Sequence, residues 1–299
     1  MTHVLTLVCD PAAPVLDHST AGRAREALAD AGARPGGVDW LAPGIACDVA
    51  FDGGDAQEAE AAVRAALAGA PVDVAVQAVG GRRKRLLVAD MESTMIRQEM
   101  LDELAEAVGI RDRIAEITRR AMNGELEFRA ALRERLMLLK GLPEQVLADM
   151  LPRIQPMPGA RTLVATMRAA GARCLLVSGG FRFYTRRVAA DLGFDEEQAN
   201  DLEIEDGRLT GRPVEPILDK ESKLVALREA CGRLGFGPDQ AVAVGDGAND
   251  LPMLQAAGLG VAFHAKPAVA AAARVRIDHG DLTAVLYLQG YRAAELKEA

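Results

Sequence analysis

The chain has 299 residues, 49% of them hydrophobic and 26% charged, with 35 Lys and Arg against 43 Asp and Glu and a formal net charge of −8. That length and apolar content are enough to bury a substantial core spread over two or three structural units, and they exclude a disordered chain. The acidic balance argues against a nucleic-acid or other polyanion partner, and no apolar stretch is long enough to span a bilayer.

Cys9, Cys47, Cys174 and Cys231 show no paired spacing, and His3, His18, His264 and His279 have no ligand spacing. Four scattered thiols suit a reducing compartment better than a disulfide framework or a zinc site. With no charged n-region leading into an apolar h-region at the start, a soluble cytoplasmic protein with no membrane partner is expected.

In chain order, residues 1–80 read as strand 3–9, helix 19–33, strand 38–41, strand 46–51, helix 56–68 and strand 72–79. That order is βαββαβ, a ferredoxin-like sandwich. Gly80-Gly81 follows as a linker, and the basic run Arg82-Arg83-Lys84-Arg85 reads as its solvated continuation. The apolar run Leu86-Leu87-Val88 then delivers Asp90 where a buried parallel strand would end. Residues 97–155 read as amphipathic helices 99–108, 111–122, 126–139 and 144–150, broken at Gly109, Asn123-Gly124 and Gly141. Inserted before helix 160–170, they form a small cap. Alternating strand and helix patterns follow, interrupted by a hairpin at Asp206-Gly207, a type I′ signal. The expected fold is α/β: a doubly wound parallel-sheet core (84–96 and 156–299), a helical cap (97–155) and the ferredoxin-like unit (1–80).

Four elements carry chemistry. Asp90 follows one strand-like run, and Asp246 follows another, Ala241-Val242-Ala243-Val244, with Asp250 four positions on. Ser178 follows the strand-like run 174–177 and precedes Gly179-Gly180, and Lys223 lies near the start of a helical pattern. A lone Asp after an apolar run is usually a turn or cap residue, and a lone Ser or Lys says less still. Their joint order, three of them directly after strand-like runs, points to phosphoryl transfer. Mg²⁺ takes oxygen ligands, usually one or two carboxylates with phosphate and water. A carboxylate can attack phosphorus where donors and cations neutralise the phosphoryl oxygens, roles open to Ser178, the amides after it and Lys223.

These residues, together with GELEF at 124–128, Arg135, MPGA at 157–160, SGGF at 178–181, LEIEDGRLTG at 202–211 and FHAKP at 263–267, resemble the haloacid dehalogenase superfamily. Within it the chain is similar to the bacterial phosphoserine phosphatases, from about residue 72 to its end. The resemblance implies hydrolysis of the small molecule O-phospho-serine, the last step of serine biosynthesis. It makes Asp90 the nucleophile and Glu92 the general acid and base. The implied Mg²⁺ ligands are Asp90, the backbone carbonyl of Glu92 and Asp246, with Asp250 and Asn249 holding outer-shell water and phosphate. Ser178, Gly179 and Lys223 would bind the phosphoryl group, Glu99 the substrate ammonium and Arg135 its carboxylate, while Met122 and Phe128 would cover the site. Read without the family, Glu99 and Arg135 are solvated residues of amphipathic helices and Met122 and Phe128 ordinary packing. The N-terminal unit resembles an ACT-type regulatory domain by element order alone. An amino-acid ligand there, and a structural or homodimerising appendage with no ligand, both stay open.

One position departs from the family pattern: Glu92 stands where Asp is expected, giving DMEST. The carboxyl chemistry is kept, but the extra methylene displaces it by about 1 Å, which can cost on the order of a hundredfold. Two alternatives stay open beside the phosphatase: an enzyme acting on another small phosphorylated amine, including a phosphotransferase, and an impaired amino-acid-binding regulator.

Overall fold

The computed structural model describes residues 1–122 and 125–298, without the side chains of Met122 and Lys220. The N-terminal unit runs β1 (His3–Val8), α1 (His18–Asp30), β2 (Arg34–Ala42), β3 (Ala46–Asp52), α2 (Ala56–Ala66) and β4 (Asp73–Ala78). Its antiparallel sheet has the order β2-β3-β1-β4, consistent with a ferredoxin-like unit. Asp17 and Asp55 begin the two helices by accepting backbone N–H groups of Thr20 and of Gln57 and Glu58, which satisfies donors a helix start leaves free.

Strand β2 is longer than the expected 38–41, because Pro35-Gly36-Gly37 reads as a chain breaker. It is tolerated here on a sheet edge, where the register to β3 shifts between Pro35 and Val38. An added Cβ at Gly36 would lie 3.2 Å from the Ala50 carbonyl, so the strand approaches its neighbour closely there.

The rest of the chain contributes β5 (Leu86–Ala89), α3 (Met100–Ala107), α4 (Arg111–Met122), α5 (Phe128–Met137), α6 (Gln145–Asp149), α7 (Ala160–Ala169), β6 (Arg173–Phe181), α8 (Arg182–Leu192), β7 (Glu196–Glu205), β8 (Arg208–Val214), α9 (Lys220–Leu234), β9 (Ala241–Gly245), α10 (Leu251–Ala256), β10 (Leu259–Phe263), α11 (Pro267–Ala272), β11 (Val275–Ile277) and α12 (Ala284–Leu288). The second sheet has the order β11-β10-β9-β5-β6-β7-β8 and is parallel except for the β7–β8 hairpin. Asp206 and Gly207 both adopt positive φ, 48° and 71°, the two left-handed residues of a type I′ turn. The chain leaves β5 through β6 to one side and returns to β9 on the other, so the strand order reverses at β5. In open α/β sheets such a reversal opens a crevice at the strand ends, where ligands bind.

The basic run 82–85 is only partly the solvated linker expected from its charge: Arg83 and Arg85 are exposed, while Arg82 and Lys84 are half-buried. Arg82 donates to Asp48 at 2.6 Å, to Thr6 at 3.0 Å and to the Tyr287 and Leu288 carbonyls. Arg83 and Arg85 lie over the rings of Tyr291 and Phe236. Charge density alone conceals this, because a guanidinium can bury its stem, stack on rings and spread donors over several acceptors. From the other direction, Asp73 of β4 accepts the backbone N–H groups of Asp278 and Gly280, both at 2.7 Å. Val8, Ala46 and Ala75 join Leu282, Val285 and Leu286 in one apolar cluster, so the two sheets share a packed boundary.

All four cysteines are buried and free, with burial pushing the Cys47 and Cys174 thiols up to about 12. Among the described residues no helix is long and apolar enough to cross a membrane.

Candidate active site

Two adjacent parallel strands set the site's acidic centre. Pairing of Ala89 with Val244 aligns the ends of β5 and β9, and the Asp90 N–H continues the ladder to the Val244 carbonyl at 3.0 Å. Asp90 and Asp246 therefore leave neighbouring strands at one level. The turn after β9 brings Asp250 back toward them, its Oδ2 accepting the Gly247 N–H at 3.0 Å. The turn is this tight because Gly245 has no Cβ, which would lie 2.4 Å from the Asp250 carboxyl carbon. Carboxylate oxygens of Asp90, Asp246 and Asp250 lie within 4.8 Å of one another.

Lys223, in the first turn of α9, inserts its ammonium between two of them, 2.6 Å from Asp90 Oδ1 and 2.5 Å from Asp250 Oδ1. Lys223, Asp90 and Asp250 are buried, with 2%, 6% and 0% of their surfaces exposed. Burial works against the Lys223 charge, but Asp90 and Asp250 outweigh it and raise its pKa. Burial pushes the Asp90 carboxyl up to about 8, with Asp250 adding to the rise and Lys223 opposing it. Burial likewise pushes Asp246 up to about 6, with Asp250 and Glu99 contributing. Three converging carboxylates faced by one ammonium leave a surplus of negative charge. An all-oxygen donor set of that charge fits a hard divalent cation such as Mg²⁺.

On the other side of β5, the extended backbone does not end at Val177 as the apolar run implies. It continues as β6 through Phe181, so Ser178 lies within the strand and not after it. Pairing with β7 lapses after Val177 and resumes at Phe181 with Asn200. An interrupted ladder leaves no trace in the apolar pattern that marks a strand. Ser178 Oγ accepts the Gly180 N–H at 2.9 Å, while Phe128 of α5 brings its ring tip to 3.7 Å from where a Gly179 Cβ would sit.

Glu92 Oε1 accepts the Met100 N–H at 2.8 Å, at the start of α3. Its Oε2 occupies space beside Gly180, 2.8 Å from the position of an added Cβ there. Burial pushes the Glu92 carboxyl up to about 8, and Glu99 and Asp90 add to the shift. Ser93, at φ 54°, turns its hydroxyl to donate to Glu99 Oε1 at 2.7 Å. Arg135 of α5 faces the same acidic group: burial lowers its pKa, while Asp102, Glu92 and Glu99 oppose the change. Among the described residues no carboxylate lies within 4 Å of its guanidinium, whose Nε makes a 3.4 Å contact to its own helix at Ala131. Asn249 is exposed at the rim of the turn after β9. The structure thus gathers Asp90, Asp246, Asp250, Lys223 and the Ser178 loop at the strand ends, with Glu92, Glu99, Phe128 and Arg135 on the cap side. The side chain of Met122 and the helix break at Asn123-Gly124 lie outside the described residues.

Asn200 was absent from the sequence-derived site. Buried on β7, it donates to the Gly179 carbonyl at 2.8 Å and accepts the Leu218 N–H at 2.7 Å, tying the Ser178 loop to the segment that leads into α9. A lone Asn in a strand carries no signal for this in the sequence.

A parallel sheet with a helical insert after its first strand, and carboxylates at its central strand ends, defines the class as a doubly wound α/β core with a helical cap and an acidic site at the strand ends. The haloacid dehalogenase-like hydrolase family matches residues 87–255, and the chain belongs to that family. It is 49% identical over 210 residues to a phosphoserine phosphatase of Albidiferax ferrireducens, covering 68% of this chain and 89% of that one. It is 46% identical over 230 residues to the phosphoserine phosphatase SerB2 of Mycobacterium tuberculosis, covering 76% of this chain and 56% of that protein. The chain thus spans little more than half the length of that relative. Among solved structures, a probable phosphoserine phosphatase from Vibrio cholerae superposes with a TM-score of 0.78 at 30% identity, over 98% of this chain and 88% of that one. A substrate-bound phosphoserine phosphatase complex superposes with a TM-score of 0.64 at 36% identity, over 69% of this chain and 98% of that one.

Proposed function

We propose that the chain is a Mg²⁺-dependent phosphoserine phosphatase that hydrolyses O-phospho-serine to serine and phosphate. The observation that carries this reading is the placement of Lys223 between Asp90 and Asp250, in one cluster with Asp246 at the strand ends. The phosphoserine phosphatases among its relatives supply the substrate.

In this reading an Asp90 oxygen attacks phosphorus, and the bond from phosphorus to the seryl oxygen breaks. Glu92, whose carboxyl is pushed up by burial and by Glu99 and Asp90 beside it, gives its proton to that oxygen as serine leaves. Water then attacks the phosphorus of the aspartyl-phosphate and gives its proton to Glu92, releasing phosphate and restoring Asp90. Lys223, the Ser178 hydroxyl and the Gly179 amide bind the phosphoryl oxygens throughout. Mg²⁺, held by Asp90, Asp246 and the backbone carbonyl of Glu92 with Asp250 and Asn249 outside them, would neutralise charge developing on those oxygens. Arg135 takes the substrate carboxylate, for which a guanidinium fork is suited, and Glu99 the ammonium. Phe128 shields the reaction from water. The N-terminal unit is read as a regulatory module that takes an amino-acid ligand, or as a dimerising one, and the protein as cytoplasmic.

The test is phosphate release from O-phospho-L-serine with Mg²⁺ and with EDTA, for the chain as it stands and for Glu92→Asp. Metal-dependent release by the unaltered chain supports the reading. Release by Glu92→Asp alone would instead make the chain an impaired catalyst, and the amino-acid-binding regulator the better account.

A further inference from the structure

Helix α5 is strapped to the core by two ion pairs one helical turn apart. Arg129 donates through Nε and a terminal nitrogen to Asp219 Oδ2, at 3.1 and 2.8 Å, and Arg133 pairs with Glu215. The four charges form one network, since Arg129 and Arg133 both lower the Glu215 pKa. Asp219 is also the N-cap of α9, forming a reciprocal capping box with Ser222 next to Lys223. Phe128, beside Arg129, meets Gly179, and Arg135 lies two residues beyond Arg133. Phe128 and Arg135, seven positions apart, share the side of α5 turned to the site, and Arg129 and Arg133, four apart, share a second side about 120° round that meets the segment entering α9, so one rigid helix links the two.

The rest of the cap is attached differently. Gly141 and Glu144 donate backbone N–H groups to Leu209 and Gly207 of the β7–β8 hairpin, and Leu209 returns one to Leu142. That end is held by backbone hydrogen bonds, which salt hardly affects. The α5 end adds partly exposed charges, which salt screens. We propose that Arg129 and Arg133 are positioning residues that seat α5, with Phe128 and Arg135, over the phosphate-binding loop, and so make substrate affinity depend on ionic strength. The proposal deepens the phosphatase reading and rests on it for the choice of substrate.

The consequence is a selective one. If substrate binds with α5 seated, weakening the strap lowers the fraction of competent protein and raises the concentration of substrate required, without altering the groups that perform the chemistry. Exposed ion pairs are individually weak, so the pair together should change affinity by about three- to tenfold.

The experiment compares the full chain with Arg129→Ala/Arg133→Ala, Arg133→Glu and the charge exchange Arg133→Glu/Glu215→Arg, measuring KM and kcat for O-phospho-L-serine from low to high NaCl. The expected result is a KM in the double alanine variant raised about three- to tenfold at low salt, with kcat within about twofold and the salt dependence of KM flattened. Arg133→Glu should raise KM, and the charge exchange should lower it again, which loss of packing alone would not do. An unchanged KM and salt profile in the double variant, or no recovery in the charge exchange, would overturn the proposal. If the unaltered chain ignores O-phospho-serine but hydrolyses another phosphomonoester, the substrate reading fails, and the same comparison on that ester tests the strap.

Discussion

Lys223 holds Asp90 and Asp250 with one ammonium, at 2.6 and 2.5 Å, while Asp246 stands in the same cluster without an ion-pair partner within 4 Å among the described residues. The proposed nucleophile is thus also half of a buried ion pair, so its charge and its shape have separable effects. Asp90→Asn keeps the shape and removes one of three crowded negative charges. We expect folding to be retained, with a melting temperature equal to or above that of the unaltered chain in EDTA, and turnover to be lost. Lys223→Ala should do the opposite to stability, because it leaves buried carboxylates uncompensated, costing about 3–5 kcal/mol. Thermal melts and phosphate release on both variants check this. An active, folded Asp90→Asn variant would remove Asp90 as the nucleophile.

The acidic cluster also sets the direction of the pH dependence. Asp90 and Glu92 are raised to about 8 and Asp246 to about 6, all above their ordinary values, so the folded protein binds protons more tightly than the unfolded chain. The sign follows: the contribution from these groups is fully favourable below the ordinary carboxyl range and is lost as pH rises toward about 8. Mg²⁺ competes with those same protons and should recover more stability at higher pH. We expect the gain in melting temperature on adding Mg²⁺ to be larger near pH 8 than near pH 6. A gain that is equal at the two values, or larger at the lower one, would show that these carboxylates do not hold the metal.

Arg135 presents a guanidinium to the acidic side of the site with no carboxylate within 4 Å among the described residues, so binding a substrate carboxylate would not require breaking a strong pair. Arg135→Ala should raise KM for O-phospho-serine by about tenfold or more, the scale of a lost charged hydrogen-bond pair. It should leave KM for a phosphoester lacking a carboxylate within about twofold, since no partner is lost there. Parallel kinetics on the two substrates decide the matter, and equal losses on both would take Arg135 out of substrate reading.

Much of this arrangement is legible in the residues because the signals are local. Apolar runs ending in Asp90 and Asp246 mark adjacent buried strands, and Asp206-Gly207 marks the hairpin it forms. What is not legible depends on partners distant in sequence. Arg82 looks like a linker charge until Asp48 and the Tyr287 and Leu288 carbonyls surround it. Pro35-Gly36-Gly37 looks like a break until the sheet edge accommodates it. Arg129 and Arg133 look like a solvated helix face until Glu215 and Asp219 meet them. Periodicity reports which face of an element is buried, but not which charge on the other face will find a partner.

Glu92 and Gly180 show the same limit at the site, and they lend themselves to a double substitution. The longer acid reaches the space that a Cβ on Gly180 would fill, with Oε2 2.8 Å from that position and Ser178 Oγ 3.1 Å from it. The obstructing atom is the end of a side chain, so Gly180→Ala should fold, but with the Glu92 carboxyl displaced. A shift of about 1 Å in an acid-base group can cost on the order of a hundredfold, so turnover should fall by between about ten- and a hundredfold. Glu92→Asp withdraws the carboxyl by one methylene and should relieve the clash. Turnover by Glu92→Asp/Gly180→Ala is therefore expected to exceed that of Gly180→Ala alone, with a clear coupling in the cycle of four proteins. Losses that simply add would mean that Gly180 acts on the backbone of the Ser178 loop and not on the placement of Glu92.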